Sequence, residues 1–170
     1  RQASFNGVSI MTGTGYVSAN FSAWGGFATT ILLIVMFIGG CGGSTTFGIK
    51  VFRLQVLAST AKVQISRLLR PHAVGLAYYN KRPVSVEVMD SVMGFFYLFI
   101  LGFVLIAIML GMAGLDFVTA LSGAATSISN VGPGLGEVIG ADGNFSTLPD
   151  SAKWIMSFAM LLGRLEIFTV

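Results

Sequence analysis

The chain has 170 residues, of which 54% are hydrophobic and only 10% are charged, and its mean hydropathy is +0.82. A soluble domain carries roughly 25% charged residues, so this composition excludes an ordinary soluble domain. The apolar content also excludes a disordered chain, and a single cysteine excludes a disulfide scaffold. The net charge of +3 is small, and it indicates no nucleic-acid partner. A polytopic protein of the lipid bilayer remains.

Residues 1–20 form the first segment. A short uncharged stretch, Ala3–Met11, is predicted to be the tail of a helix, and the glycine-containing turn Thr12–Val17 follows it. No secretory signal opens the chain. Because the sequence also stops abruptly inside an apolar run, we interpret it as a fragment of a longer protein.

Residues 21–70 are predicted to form one helix with a break. The run Phe21–Cys41 is apolar and long enough to span a hydrocarbon core of about 30 Å. The break, residues 39–48, holds five glycines in ten residues, which favours a non-helical loop. Apolar residues then recur with helical spacing over Val51–Leu69, and Pro71 is expected to end this cytoplasmic extension.

Charge placement predicts the topology. The segment Lys50–Arg82 holds seven of the ten basic residues and no acid, which indicates a cytoplasmic loop that includes a linker over residues 71–90. Residues 91–114 are predicted to be the next span, running outward. Residues 151–170 are predicted to be the last span, running inward and interrupted by Arg164.

Residues 115–150 contain a segment too short to cross the membrane with both flanks outside. The weakly apolar stretch Leu115–Ser129, with Asp116 as its expected N-cap, is followed by the glycine-rich segment Asn130–Gly136. A helix that enters and a strand that returns form a re-entrant pore loop, which implies a cavity. The N-terminal segment repeats this pattern with a period of about 115 residues, from Gly15 to Gly132.

Neither glycine-rich turn carries a carboxylate, so a dehydrated cation would have to be held by backbone carbonyls. Potassium-channel filters use T-V-G-Y-G loops in this way. Gly13–Tyr16 matches the T-V-G-Y part of that pattern at its last two positions, Gly15 and Tyr16, and Asn130–Pro133 matches it at Val131 and Gly132. A secondary carrier with alternating access remains the alternative. An enzyme is disfavoured because one His and one Cys offer no nucleophile–base pair, so we expect no catalytic residue and no cofactor.

Four segments resemble the TrkH/KtrB/HKT superfamily of potassium transporters, most closely its bacterial TrkH branch. They are Thr12–Tyr16, Cys41–Arg53, Ser127–Gly136 and Leu161–Thr169. The resemblance implies an all-α membrane fold of span–pore-loop–span repeats, with re-entrant pore helices and a broken inner helix. It implies that this chain runs from the end of the third pore loop through most of the fourth repeat.

The resemblance also implies roles for individual residues. The expected potassium-binding filter carbonyls are those of Gly13, Thr14, Gly15, Asn130, Val131 and Gly132. The expected gate is an intramembrane loop acting with Arg164, and its named residues are Gly42, Gly43, Ser44, Thr45 and Thr46. Two residues depart from the family pattern: Gly13 stands where Thr is usual, and Phe47 stands where Gly is usual.

Further expectations follow from the resemblance. Potassium would be the transported ion rather than a cofactor, and the full-length protein would be a homodimer in the bacterial inner membrane with several spans. A cytoplasmic nucleotide-binding ring would regulate it. Whether sodium or protons are co-transported stays open.

Overall fold

The computed structural model describes residues 1–40, 48–70 and 76–165. These residues are mostly helical. The helices are α1 (Gln2–Met11), α2 (Gly26–Phe37), α3 (Val51–Leu69), α4 (Val86–Met112), α5 (Phe117–Ser129) and α6 (Asp150–Arg164). Two short strands, β1 (Tyr78–Tyr79) and β2 (Arg82–Pro83), lie between α3 and α4.

Helix α4 is the longest element. Its 27 residues give a length of about 40 Å at 1.5 Å per residue, more than a hydrocarbon core requires. Among the described residues it is the one helix both long and apolar enough to cross a membrane. The Ser85 side chain caps its start by accepting a hydrogen bond from the Val88 N–H, so α4 begins five residues before the predicted span.

Helix α5 lies at the centre of the described fold. It packs against α2, α4 and α6, and ten of its thirteen residues are buried. Two of its buried hydroxyls bond to backbone oxygens: Ser127 donates to Gly123 at 2.6 Å, and Ser122 donates to Val118 at 2.7 Å. Small side chains let the neighbouring helices approach, and these hydroxyl bonds offset the cost of burying polar groups.

The predicted span Phe21–Cys41 is wrong as a single helix. Residues Phe21–Trp24 form one turn of 3-10 helix, and α2 begins only after Gly25, which has φ +90°. That backbone angle lies outside the helical region, so it interrupts the helix. Helix α2 is therefore only about 18 Å long.

The linker between α3 and α4 contains a short β-hairpin, which the predicted all-α fold does not include. Strands β1 and β2 pair antiparallel, with Tyr78 opposite Pro83 and Tyr79 opposite Arg82. Asn80 and Lys81 both have positive φ, at 48° and 64°. Positive φ at both central residues is the requirement of the type I′ hairpin turn, which asparagine tolerates well.

Candidate functional site

The first predicted filter segment follows the C-terminus of α1. Gly13 and Gly15 have φ of +67° and +71°, whereas Thr14 between them does not have positive φ. The backbone N–H groups of all three residues point back to α1: Gly13 donates to Ile10 at 3.1 Å, and Thr14 donates to Ser9 at 3.0 Å. Gly15 also donates to the Ser9 oxygen, at 3.4 Å.

The second predicted filter segment repeats this geometry after α5. Asn130 is left-handed, with φ +52°, Val131 does not have positive φ, and Gly132 has φ +111°. The Val131 N–H donates to the Thr126 carbonyl at 3.1 Å, and the Gly132 N–H donates to the Thr126 hydroxyl at 3.0 Å. Both segments therefore turn their N–H groups toward the helix that precedes them.

Backbone φ angles that alternate in sign bring successive N–H groups to one side of the chain, which turns the carbonyls to the other. No backbone N–H of the described residues donates a hydrogen bond to the carbonyl oxygens of the six predicted filter residues. These oxygens are therefore available to a ligand. Helices α1 and α5 end directly before these two segments, so the negative end of each helix dipole adjoins a predicted filter segment, which favours a cation.

The two segments lie against each other. A Cβ built on Gly15 would stand 2.5 Å from the Val131 oxygen and 3.1 Å from Cδ of Pro133. A Cβ on Gly132 would lie 3.9 Å from Cα of Gly15. Glycine is thus required at position 15 by its φ and by this close approach. Residues 117 positions apart in sequence meet at one location.

Further contacts fix the outer ends of these segments. The Ser22 hydroxyl donates to the Gly136 oxygen at 3.0 Å, and the Asn20 amide donates to the Asp142 carboxylate. Both bonds join the N-terminal segment to the residues that follow the second filter segment. Sequence reasoning missed them, because neither pair follows a recognisable spacing.

The departure at position 13 fits the local backbone. Gly13 lies at φ +67°, where a β-branched threonine would be strained. A hydroxyl is nevertheless close, because Oγ1 of Thr14 lies 3.1 Å from Oγ of Ser9 and 3.2 Å from Oγ1 of Thr12. This small hydroxyl cluster ties the turn to the last turn of α1.

Helix α6 contacts the end of α5 and the second filter segment through Met160 and Gly163. A Cβ on Gly163 would stand 2.1 Å from the Ile128 oxygen and 2.8 Å from Nδ2 of Asn130. The Asn130 amide also donates to the Met160 oxygen at 3.1 Å. Arg164, the predicted gate residue, is exposed and follows this contact directly. Because Gly163 contacts the end of α5, the neighbouring Arg164 also lies close to the end of α5.

The predicted gate residues Gly42, Gly43, Ser44, Thr45 and Thr46, together with Phe47, lie outside the described residues. The residues on either side of them are described, and backbone hydrogen bonds join the two sides. The Ile49 N–H donates to the Phe37 oxygen at 2.8 Å, and the Gly39 N–H donates to the Ile49 oxygen at 3.0 Å. We call these paired flanks, Phe37–Gly40 and Gly48–Val51, the neck.

Asp116 caps α5 as predicted. Its carboxylate accepts a hydrogen bond from the Thr119 N–H at 3.2 Å. Hydrogen bonding by Thr119, first through its hydroxyl, holds the pKa of Asp116 below its ordinary value. A negative charge here also complements the positive N-terminal end of the helix dipole.

The described fold is largely helical, α4 is apolar enough to cross a membrane, and two short helices end at adjoining glycine turns. The sequence model of the TrkH family, described as a cation transport protein, matches residues 1–170. The chain belongs to the TrkH family, and the predicted resemblance is confirmed.

Similar proteins carry potassium-uptake names. The chain is 47% identical over 169 residues to the Trk system potassium uptake protein TrkI of Halomonas elongata, covering 99% of this chain and 34% of that protein. It is 37% identical to TrkH of Escherichia coli K12, again covering 99% of this chain and 34% of the relative. The crystal structure of the potassium transporter TrkH from Vibrio parahaemolyticus matches with a TM-score of 0.90 and 40% identity. That match covers 99% of this chain and 35% of the TrkH chain, so our chain spans about a third of its relatives' length.

Proposed function

We propose that the full-length protein takes up potassium ions across a bacterial inner membrane. The relatives' names support the ion, and the TrkH family consists of membrane transporters. The proposed ion path passes the carbonyls of Gly13, Thr14 and Gly15 on one side, and those of Asn130, Val131 and Gly132 on another. Other parts of the full-length chain would complete the ring.

The observation that carries this proposal is the contact between Gly15 and the Val131–Pro133 segment. It brings together two segments whose N–H groups are already bonded to their own helices. Their carbonyls can then replace the hydration shell of an ion without the protein having to break hydrogen bonds first. Preorganised dipoles of this kind favour a dehydrated cation, and no acidic side chain is needed.

The proposed gate is the loop containing Gly42–Thr46, acting with Arg164. The neck supports this, because it holds both ends of the loop at one place beside the core residues Phe99 and Phe103. A positive charge in an ion path raises a barrier to cations, which suits Arg164 for this role. The proposed regulator is a cytoplasmic nucleotide-binding ring, and the proposed assembly is a homodimer.

The test is uptake by the full-length protein. Expressed in a bacterium that lacks its own potassium uptake systems, the protein should restore growth at low potassium concentration. The purified protein in liposomes should pass rubidium, a potassium substitute, in preference to sodium. Growth without rescue and liposomes without flux would contradict the proposal. Flux that stops without a sodium or proton gradient would favour the alternating-access carrier.

A further inference from the structure

Thr126 on α5 holds two consecutive peptide groups of the second predicted filter segment. Its carbonyl accepts the Val131 N–H at 3.1 Å, and its hydroxyl accepts the Gly132 N–H at 3.0 Å. Among the described residues, this hydroxyl is the one acceptor of the Gly132 N–H. Thr126 is fully buried, so the packing around α5 fixes where its hydroxyl lies.

One peptide group links this hydroxyl to a proposed ion ligand. The Val131 carbonyl and the Gly132 N–H belong to the same planar trans peptide, so they point in opposite directions. A hydroxyl that holds the N–H therefore also fixes the direction of the Val131 oxygen. That oxygen lies next to Gly15 of the first predicted filter segment, where a Cβ would stand 2.5 Å from it.

Glycine makes this peptide dependent on such a restraint. Gly132 has φ +111°, and a residue without a Cβ reaches many other backbone conformations at little cost. The peptide between Val131 and Gly132 therefore rotates more easily than one that a Cβ on each side confines. The hydrogen bond to Thr126 is the contact that opposes this rotation.

Different atoms hold the first predicted filter segment at the equivalent position. Ser9 precedes Gly15 by 6 residues, as Thr126 precedes Gly132. The main-chain oxygen of Ser9 accepts both N–H groups, from Thr14 at 3.0 Å and from Gly15 at 3.4 Å. Any residue at position 9 supplies that oxygen, whereas the second segment depends on a side-chain hydroxyl at position 126.

We propose that Thr126 is a positioning residue for ion selectivity: its hydroxyl holds the Gly132 N–H and thereby keeps the Val131 carbonyl directed at the ion. This inference rests on the proposed function, because it needs the Val131 oxygen to be an ion ligand. Without the hydroxyl the peptide rotates. A ring of oxygens that can move adapts to the smaller sodium ion, so the preference for potassium falls.

The experiment uses the full-length protein in liposomes and measures competitive rubidium and sodium flux. Thr126→Val keeps the branched shape of the side chain and removes the hydroxyl acceptor. Its preference for rubidium should fall at least about fivefold, which corresponds to about 1 kcal/mol, the net contribution of one hydrogen bond. Thr126→Ser restores the acceptor, so its preference should stay near that of wild type.

Ser127→Ala is the matched control. Ser127 is the neighbouring buried residue of α5, and its hydroxyl donates within the helix to the Gly123 oxygen at 2.6 Å. This variant loses a buried hydrogen bond without touching the second predicted filter segment. It should lower the thermal stability of the purified protein and leave the ion preference unchanged.

A second pair of variants covers poor accumulation of Thr126→Val in the membrane. Thr126→Ala and Thr126→Ser differ from each other only by the hydroxyl. The alanine variant should lose the preference for rubidium, and the serine variant should keep it.

The possible outcomes are distinct. Absence of selective rubidium flux in the wild-type protein would refute the proposed function itself. Selective wild-type flux that Thr126→Val leaves unchanged would overturn the inference and leave the proposed function standing. An equal loss of preference in Ser127→Ala, or a loss that serine does not rescue, would also overturn it, because the cause would then be general damage to α5.

Discussion

Gly15→Ala tests the contact between the two filter segments. The new Cβ would stand 2.5 Å from the Val131 oxygen, and real Cβ atoms essentially never come within 3.0 Å of another atom in this way. The Val131 carbonyl must therefore move by about 0.5 Å, the difference between these two distances. The clashing atom is backbone of the opposite segment, so no flexible side chain can absorb the change.

Two effects are expected in this variant. The alanine sits at φ +71°, and the left-handed conformation costs an L residue roughly 1–2 kcal/mol of stability. Movement of the Val131 oxygen also changes a proposed ion ligand. We expect the preference for potassium over sodium to fall at least about fivefold, which corresponds to about 1 kcal/mol.

The assay is competitive rubidium and sodium flux through the full-length protein in liposomes. Gly114→Ala is the matched control, because Gly114 has φ +91° and no atom within 4 Å of its Cβ position. It carries comparable backbone strain outside the filter, so stability should fall while selectivity is kept. Equal selectivity in Gly15→Ala and wild type, with normal protein level, would refute the assignment of these carbonyls.

Three further predictions concern other parts of the chain. Gly163→Ala should destabilise the purified protein, because its Cβ would lie 2.1 Å from a main-chain oxygen. Gly94→Ala in α4 has no atom within 4 Å of its Cβ position and should stabilise the protein by about 0.5–1 kcal/mol. A thermal unfolding measurement that ranks the two variants in the opposite order would contradict the packing. Shortening Gly42–Gly48 should raise rubidium flux, and unchanged flux would remove the gating role from this loop. Asp116→Ala should cost about 1 kcal/mol at neutral pH through loss of the α5 cap. Because the folded pKa of Asp116 is lowered, its stabilising contribution is present above the unfolded pKa and is lost as pH falls through the folded pKa. The stabilities of wild type and Asp116→Ala should therefore converge in acid. A stability difference that stays constant with pH would count against the cap.

Hydropathy and charge predicted the helices that have strong local signals. The amphipathic period of Val51–Leu69 matches α3 as observed, and the long uncharged run ending at Leu115 matches most of α4. Prediction of α5 succeeded because Asp116 and the following glycine-rich segment mark both of its ends. These features depend on neighbours in sequence, which a single sequence displays directly.

The remaining features depend on contacts distant in sequence. The sequence predicts Gly25 to lie inside an apolar span, because its φ of +90° has no signature beyond the glycine itself. The hairpin was missed because its strands have only two residues each, although Asn80 in the turn offered a signal. Nothing in the sequence spacing pairs Arg53 with Phe95, which only the fold brings beneath its guanidinium group.

The candidate site shows the same division. Its residue types and the repeat relating Gly15 to Gly132 follow from the sequence. Their mutual contact, and the direction of the N–H groups that leaves the carbonyls available, require coordinates. The approach of Gly163 to the end of α5 likewise could not be derived from spacing.

The most direct test of the carbonyl filter is the position of a bound ion. Full-length protein crystallised with thallium or rubidium in place of potassium should show anomalous density in direct contact with the carbonyl oxygens of Gly13–Gly15 and Asn130–Gly132. Replacing the salt with sodium should weaken or remove that density. Ion density at another place in the protein, with these oxygens contacting only protein or lipid, would contradict the account.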